Sequence, residues 1–367
     1  MDREKEIGKT MSRFQKIADC LEANQLDAML ITSAPNRLYA TGFASSDGTA
    51  VITREGSWFF IDSRYIEAAQ KAITGAEIRL TTTEKTAVDQ AQEVLEQHNI
   101  KRLGFEDRYA TVKEYNRWKE KFTGCELVPA AQILADLRMI KEPAELESMI
   151  AAQRIAEKAL ADVLDFIKPG KTEQEVAAFL QYRMLLHGAK KMSFDPIVVG
   201  GPNSSMPHGV PSARPLADGD FLTMDFGCIY NGYCSDMTRT IAIGHATEEM
   251  ETVYNTVLQA QLAGIAAARG GVTGKTVHET AAKVIADAGY GEYFGHGFGH
   301  SLGVEVHEDP RFSAIHDKPI PAGATLSAEP GIYLPGRFGV RIEDVVIVGE
   351  EESKSIMEAP KELLILR

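Results

Sequence analysis

Cysteine is scarce in this sequence: four in 367 residues, at positions 20, 125, 228 and 234. So few exclude a disulfide framework in a chain of this size and make a reducing cytoplasm the expected compartment. No apolar run approaches the roughly 20 residues that cross a bilayer. The first residues, MDREKEIGKTMSRF, lack the apolar core of a signal peptide. Positive charge is in deficit: 39 basic residues against 52 acidic leave a net charge of -13. That balance disfavours nucleic acid and anionic membranes as partners. Neither a phosphate loop nor a dinucleotide fingerprint is present. Composition is otherwise ordinary, 44% hydrophobic and 25% charged, which excludes disorder over the whole chain.

The length favours two domains over one core. The first part alternates periods: helical over 11–24, a buried strand over 27–32, a hairpin over 49–62 turning at Gly56, helices near 64–73 and 85–98, and strands near 77–80 and 102–105. That predicts an α/β domain. A boundary falls in LRMIKEP, so domains of 1–139 and 140–367 are expected. Pro143 opens a long amphipathic helix, and Thr172 with Glu175 forms a capping box for the next. Strands near 196–199, 221–230 and 233–243 follow. Helices over 247–268 and 276–288 and strands near 294–306, 324–329 and 340–348 then repeat the order. Helix, helix and strands twice over suggest an internal duplication, although no residue-by-residue repeat is visible.

Two aspartates stand out in FLTMDFGCIYNGYCSDMTRTIAI, 221–243. Asn231-Gly232 marks a two-residue hairpin turn pairing Tyr230 with Tyr233, and hence Asp225 with Thr238. Asp225 and Asp236 then become diagonal neighbours on one face, in apolar surroundings. Turn capping or a pair with Arg239 explains one such aspartate more easily than two. Glu329 in TLSAEPGIYL and Glu343 in FGVRIEDVVIVG repeat the theme, with Arg341 on the Glu343 face and Asp344 on the other. In the hairpin register Cys228 and Cys234 fall on opposite faces, so no disulfide joins them.

Three of the nine histidines crowd into GHGFGHSLGVEVHEDP, 295–310: His296, His300 and His307. Glycines at 295, 297 and 299 argue against a helix, each costing about 1 kcal/mol there. As a strand, residues 296, 298 and 300 share a face, and the glycines let another backbone, a substrate or a metal approach. His98, His187, His245, His278 and His316 are scattered and read as ordinary surface or core residues.

Four carboxylates (Asp225, Asp236, Glu329, Glu343) cannot all ionise in an apolar pocket unaided. Two divalent ions balance their charge. Oxygen donors with one imidazole and no thiolate suit Mn²⁺, with Co²⁺ or Zn²⁺ as alternatives. Such a pair activates water for attack on a carbonyl, which points to hydrolysis.

The order Asp225, Asp236, His300, Glu329, Glu343 resembles that of the family M24 metallopeptidases of the pita-bread fold. HGFGHSLGVEVHE, SAEPGIY and GVRIEDVV are similar to blocks of its proline-specific branch, aminopeptidase P and Xaa-Pro dipeptidase (prolidase). PNRLYATGFASSDGTAVIT and FIDSRYIEAA resemble the creatinase/prolidase N-terminal domain. The resemblance implies an α/β N-terminal domain ahead of a pita-bread domain built of two pseudo-twofold halves. It implies that Asp225 binds one metal, that His300 and Glu329 bind the other, and that Asp236 and Glu343 bridge both. Glu329 would relay the proton of the attacking water, His307 would polarise the scissile carbonyl, and His296 would line a proline pocket. His208, in GGPNSSMPHGVPS, would contact substrate, and Arg341 would support the network. The 295–310 glycines would leave room for a peptide. A cytoplasmic homodimer hydrolysing N-terminal Xaa-Pro bonds of di- or oligopeptides is the implied protein. A catalytically inactive binding protein of the same fold, or an aminopeptidase without proline specificity, is the alternative.

Overall fold

The computed structural model describes residues 11–367, so most of the N-terminal stretch read for a signal peptide lies outside the described residues. The chain divides into two compact units, Met1–Arg138 and Met139–Arg367.

The first unit is built on one six-stranded sheet. Its strands are β1 (Ala28–Ile31), β2 (Thr49–Thr53), β3 (Ser57–Ile61), β4 (Glu77–Leu80), β5 (Arg102–Phe105) and β6 (Glu126–Pro129), in the order β4-β3-β2-β1-β5-β6. β1, β2 and β3 run antiparallel and the outer pairings are parallel. Alternation along β1 divides two cores. Met29 and Ile31 join Phe14, Ile17 and Phe59 on one side, while Ala28 and Leu30 join Phe60, Val94 and Trp118 on the other. Helices α1 (Arg13–Ala23), α2 (Ala34–Thr41), α3 (Ile66–Ala72), α4 (Ala87–Gln97), α5 (Val112–Lys121) and α6 (Ala131–Met139) complete the unit.

The second unit begins with α7 (Pro143–Phe166) and α8 (Glu173–Leu186). Pro143 sits in the tolerated first turn, and Thr172 and Glu175 bond reciprocally at the start of α8. β7 (Lys191–Met192), β8 (Ile197–Gly200), β9 (Phe221–Phe226), β10 (Cys228–Tyr230), β11 (Tyr233–Cys234) and β12 (Met237–Ile243) follow. Asn231 and Gly232 take φ of 49° and 88°, the left-handed pair that a two-residue hairpin turn requires. The turn pairs Tyr230 with Tyr233, and β9 lies antiparallel to β12 with Asp225 opposite Thr238.

Helices α9 (Glu248–Ala267) and α10 (Gly274–Asp287) open the second half. β13 (Gly299–Ser301), β14 (Glu308–Phe312), β15 (Thr325–Ala328), β16 (Gly331–Leu334), β17 (Phe338–Arg341), β18 (Asp344–Ile347), β19 (Lys354–Ser355) and β20 (Ile365–Leu366) follow it. Two larger sheets result, ordered β20-β12-β9-β8 and β14-β13-β15-β18-β19. α7 and α8 cover the first with one apolar core, and α9 and α10 cover the second with another.

The backbone exposes a repeat that inspection of the sequence does not. Gly170 N donates to Leu216 O and Leu216 N to Lys171 O. Correspondingly, Gly271 N donates to Ile320 O and Ile320 N to Val272 O. Gly219 N bonds Ile243 O, and Gly323 N bonds Val348 O, each at 2.7 Å. These bonds align PLADGDFLTMD (215–225) with PIPAGATLSAE (319–329) without a gap, which sets Asp225 against Glu329. Asp236 immediately precedes β12 and Glu343 immediately precedes β18, so the second acid of each half matches too.

Candidate metal centre

Each half delivers one acid from the end of a strand and one from the start of its partner. Asp225 leaves β9 beside Ile197 of β8, Glu329 follows β15, and Asp236 and Glu343 enter β12 and β18. His300, in β13, joins them. Its Nε2 lies 3.2 Å from Glu329 Oε1 and 3.7 Å from Asp236 Oδ2. Ligand atoms of Asp236, His300 and Glu343 all fall within 4.8 Å of one another. His300 Nδ1 faces its neighbour's carbonyl, Ser301 O, at 3.1 Å, leaving Nε2 directed at the acids.

Hydrogen bonds hold most of these groups. Ser327 Oγ accepts from His300 N and donates to Glu329 Oε1, both at 2.9 Å. Thr238 Oγ1 donates to Glu343 Oε2 at 2.7 Å and accepts from Arg341 Nε at 3.1 Å. Arg341 Nη2 donates to Asp225 Oδ2 at 2.6 Å. Two oxygens find no partner: Asp225 Oδ1 and Glu343 Oε1 are buried and unbonded among the described residues. An orphaned carboxylate oxygen in an apolar interior is costly. Two of them facing one cluster, with only oxygen and imidazole donors, fit divalent cations.

Electrostatics agree. Burial, followed by the charges of neighbouring acids, pushes Asp236 and Glu343 well above the usual carboxylate range. Burial also raises Asp225, against the pull of Arg341. Burial opposes the charge on Glu329 too, but its hydrogen bond to His300 and the imidazolium charge hold it down at about 2. Burial disfavours the His300 charge, yet Glu329 and Asp236 push that imidazole up to about 9. Without a metal, protons supply the positive charge that the cluster demands.

The cluster opens into a cavity of about 730 Å³, whose wall includes His208, His296, His307 and Arg311. The His307 ring stands edge-on to His300, centroids 4.4 Å apart. His296 belongs to a chain with one consistent proton order. Arg341 Nη1 donates to Tyr333 Oη at 2.8 Å, Tyr333 Oη–H donates to His296 Nε2 at 2.9 Å, and His296 Nδ1–H donates to Gly297 O at 2.8 Å. Burial keeps His296 below its ordinary pKa, hence neutral near pH 7. The loop carrying His208 is pinned by Glu173, whose buried carboxylate accepts from Gly200 N, Asn203 Nδ2 and Ser212 N.

Every residue singled out for the site lines this cavity: Asp225, Asp236, His300, Glu329, Glu343, His208, His296, His307 and Arg341. Arg239 does not pair with Asp236; it bonds Asp344 and the Glu343 carbonyl. The four cysteines are free. Two local expectations fail: 340–348 is not one strand, because β17 ends at Arg341 and β18 begins at Asp344 in another sheet. Residues 294–306 are not a continuous strand either, because β13 spans only Gly299–Ser301 and its register with β14 breaks after His300. His296 and His300 reach the cavity, while Phe298 is fully buried against α9. Gly299 has a purpose besides admitting a ligand: a Cβ there would lie 1.9 Å from Ser327 O of the adjoining strand. Tyr333, Thr238, Ser327 and Glu173 escaped sequence reasoning as site residues. A polar side chain in an otherwise apolar strand is the signal that Tyr333 offered, whereas Thr238 and Ser327 share their strands with other polar residues.

The chain matches the sequence models of two families: metallopeptidase family M24 over residues 147–350, and the creatinase/prolidase N-terminal domain over residues 13–140. It is 35% identical to an Xaa-Pro dipeptidase of Pyrococcus horikoshii over 355 residues, covering 96% of this chain and 98% of that one. It resembles the solved structure of an Xaa-Pro dipeptidase from Bacillus anthracis, with a TM-score of 0.93, 38% identity and coverage of 96% and 99%. An X-Pro aminopeptidase from Thermotoga maritima is similar too, with a TM-score of 0.89, 33% identity and coverage of 95% and 100%.

Proposed function

The chain belongs to metallopeptidase family M24, and from that premise we propose that it hydrolyses the bond between an N-terminal residue and a following proline, in dipeptides above all. It is a metal-dependent peptidase with the pita-bread fold, preceded by a creatinase-type N-terminal domain. We take the working domains as 1–139 and 140–367.

Asp225, Asp236, His300, Glu329 and Glu343 would hold two divalent ions, Asp236 and Glu343 serving both. When bound, the ions supply Lewis acidity, lowering the pKa of a water and drawing charge from a carbonyl. The donor set, oxygen-rich with one imidazole, supports Mn²⁺. The protein's own groups do the rest. Glu329, steered by Ser327, takes the proton of the attacking water and returns it to the departing proline nitrogen. His307 at the cavity wall hydrogen-bonds the carbonyl oxygen as charge develops there. His208, also on the cavity wall, contacts the substrate. His296, neutral and clamped by Tyr333, offers a ring face to the proline. A proline nitrogen has no hydrogen to give a strand-like ladder, so a shaped pocket must recognise it instead.

Arg311 supports the dipeptide preference. It lines the cavity, its side chain is 50% exposed, and its closest acid, Asp309, is 3.9 Å away. A guanidinium so loosely engaged suits the free carboxylate of a C-terminal proline. Four unbridged cysteines support a reducing, cytoplasmic setting; no helix of the described residues is long and apolar enough to cross a membrane. A homodimer is part of the proposal and rests on the resemblance to the family.

The observation that carries this reading is the juxtaposition of His300 with the buried Asp236 and Glu343 and the partly buried Asp225 and Glu329, where Asp225 and Glu343 each keep an unbonded oxygen. The test is hydrolysis of Ala-Pro, Ala-Pro-Ala and Ala-Ala by the Mn²⁺-loaded protein. Turnover of Ala-Pro above the other two is expected. Ala-Ala cleaved as fast as Ala-Pro would overturn the proline specificity.

A further inference from the structure

Lys141 and Glu308 form a buried ion pair outside the metal cluster. Lys141 Nζ stands 3.1 Å from Glu308 Oε2 and 3.2 Å from Ser301 Oγ, with side-chain exposures of 1% for Lys141 and 5% for Glu308. Glu308 follows His307 in sequence and Ser301 follows His300. One ammonium thus grips the residue after each histidine. Lys141 itself is anchored by its neighbour Ile140, which bridges Ala324 just ahead of β15.

The surrounding chain is shaped to this pair. Ser301 Oγ accepts from Lys141 and donates onward to Thr325 O at 2.8 Å. Glu308 Oε1 accepts from Glu305 N at 3.2 Å, closing the loop between the histidines. A Cβ on Gly303 would meet both Glu308 carboxylate oxygens at 2.9 Å and Lys141 Cε at 3.0 Å. Gly303 therefore leaves space for the ion pair, not for a ligand. The far side of the loop is tied to the hairpin that bears Asp236, through Cys234 N and Gly303 O at 2.7 Å.

Stability alone is a poor reason to bury this pair. Removing two charges from water costs about as much as their attraction returns, and apolar pairs of similar size often serve as well. A fixed ammonium with two directed acceptors instead sets geometry. We propose that Lys141 is a positioning residue: through Glu308 and Ser301 it fixes the 301–308 loop so that His300 faces the acids and His307 faces the reacting carbonyl. The inference rests on the metallopeptidase reading above. It adds to the site a residue 160 positions from the histidine segment, one that touches neither metal nor substrate.

The test uses the full-length chain and the double variant Lys141→Met/Glu308→Gln. It removes both charges at nearly constant volume and keeps an acceptor for Glu305 N. Four readouts are taken: thermal midpoint, kcat and KM on Ala-Pro, and the visible absorption spectrum of the Co²⁺-loaded protein. The expected result is a midpoint close to that of the unaltered chain, kcat lower by tenfold or more, KM within about threefold, and shifted Co²⁺ bands as the imidazole reorients. A folded double variant with unaltered kcat and spectrum would overturn the proposal. Ser301→Ala keeps the reading open to refutation should the double variant not fold. It cuts only the grip beside His300 and should shift the Co²⁺ bands with a kcat loss of a few-fold; unchanged values would refute the proposal equally. Failure of the unaltered chain to bind Co²⁺ or to cleave Ala-Pro would instead defeat the underlying functional reading.

Discussion

Arg341 and Asp225, 116 positions apart in sequence, meet at 2.6 Å in the wall of the cavity. The same guanidinium holds Tyr333 Oη, Thr238 Oγ1 and the Pro207 carbonyl. One side chain thus fixes a metal-ligand candidate, the clamp on His296 and the backbone beside His208. Arg341→Met leaves Asp225 buried without its partner. Breaking such a pair costs about 3–5 kcal/mol, so a much lower thermal midpoint and loss of turnover are expected. Arg341→Lys should not rescue turnover, since an ammonium cannot reproduce the planar fork.

Tyr333→Phe tests the clamp alone. The phenol gives His296 Nε2 its hydrogen bond and accepts one from Arg341. Its loss should lower kcat/KM on Ala-Pro about three- to tenfold and stability by about 1 kcal/mol. Steady-state kinetics alongside urea unfolding checks both.

Arg311→Ala should divide substrates by length. If its guanidinium reads the free carboxylate, KM for Ala-Pro should rise tenfold or more while KM for Ala-Pro-amide barely moves. Equal effects on both would remove Arg311 from recognition.

The stability of the chelator-stripped protein should depend on pH in a definite direction. Asp225, Asp236 and Glu343 have raised folded-state values, so they stabilise the fold while protonated and lose that contribution as pH climbs. His300, raised to about 9, stabilises below its ordinary 6.5 and loses this as pH passes toward 9. Glu329, lowered to about 2, acts oppositely: its contribution is present above 4.5 and lost as pH falls toward 2. The thermal midpoint should therefore fall between pH 5 and 9, and Mn²⁺ should raise it most at the alkaline end. Differential scanning at several pH values, with and without Mn²⁺, measures this.

Much of this site is legible in sequence because its determinants are local. Asn231-Gly232 sets the hairpin register and hence the placement of Asp225 opposite Thr238. The acids announce themselves as charges in apolar runs. What stays hidden depends on partners far along the chain. Nothing near Lys141 points to Glu308, and nothing near Glu173 points to the His208 loop. The element order announces the duplication, but its residue-by-residue match is hidden because Asp225 matches Glu329, and because the second acid follows 11 residues later in one half and 14 in the other. Only backbone bonds reveal it. The histidine segment misleads because period-two reasoning assumes a regular strand, whereas β13 stops after Ser301. Gly299→Ala checks the corrected reading. Its Cβ would press on Ser327 O, so a loss of about 1–3 kcal/mol is expected.

The central claim is that cations, not protons, neutralise the buried acids in the working protein. Calorimetric titration of the chelator-stripped chain with Mn²⁺ at pH 8, paired with Asp236→Asn, tests it most directly. Two equivalents bound by the unaltered chain, with proton release, and weakened binding in the variant are expected. No saturable binding, or binding that Asp236→Asn leaves unchanged, would contradict the claim.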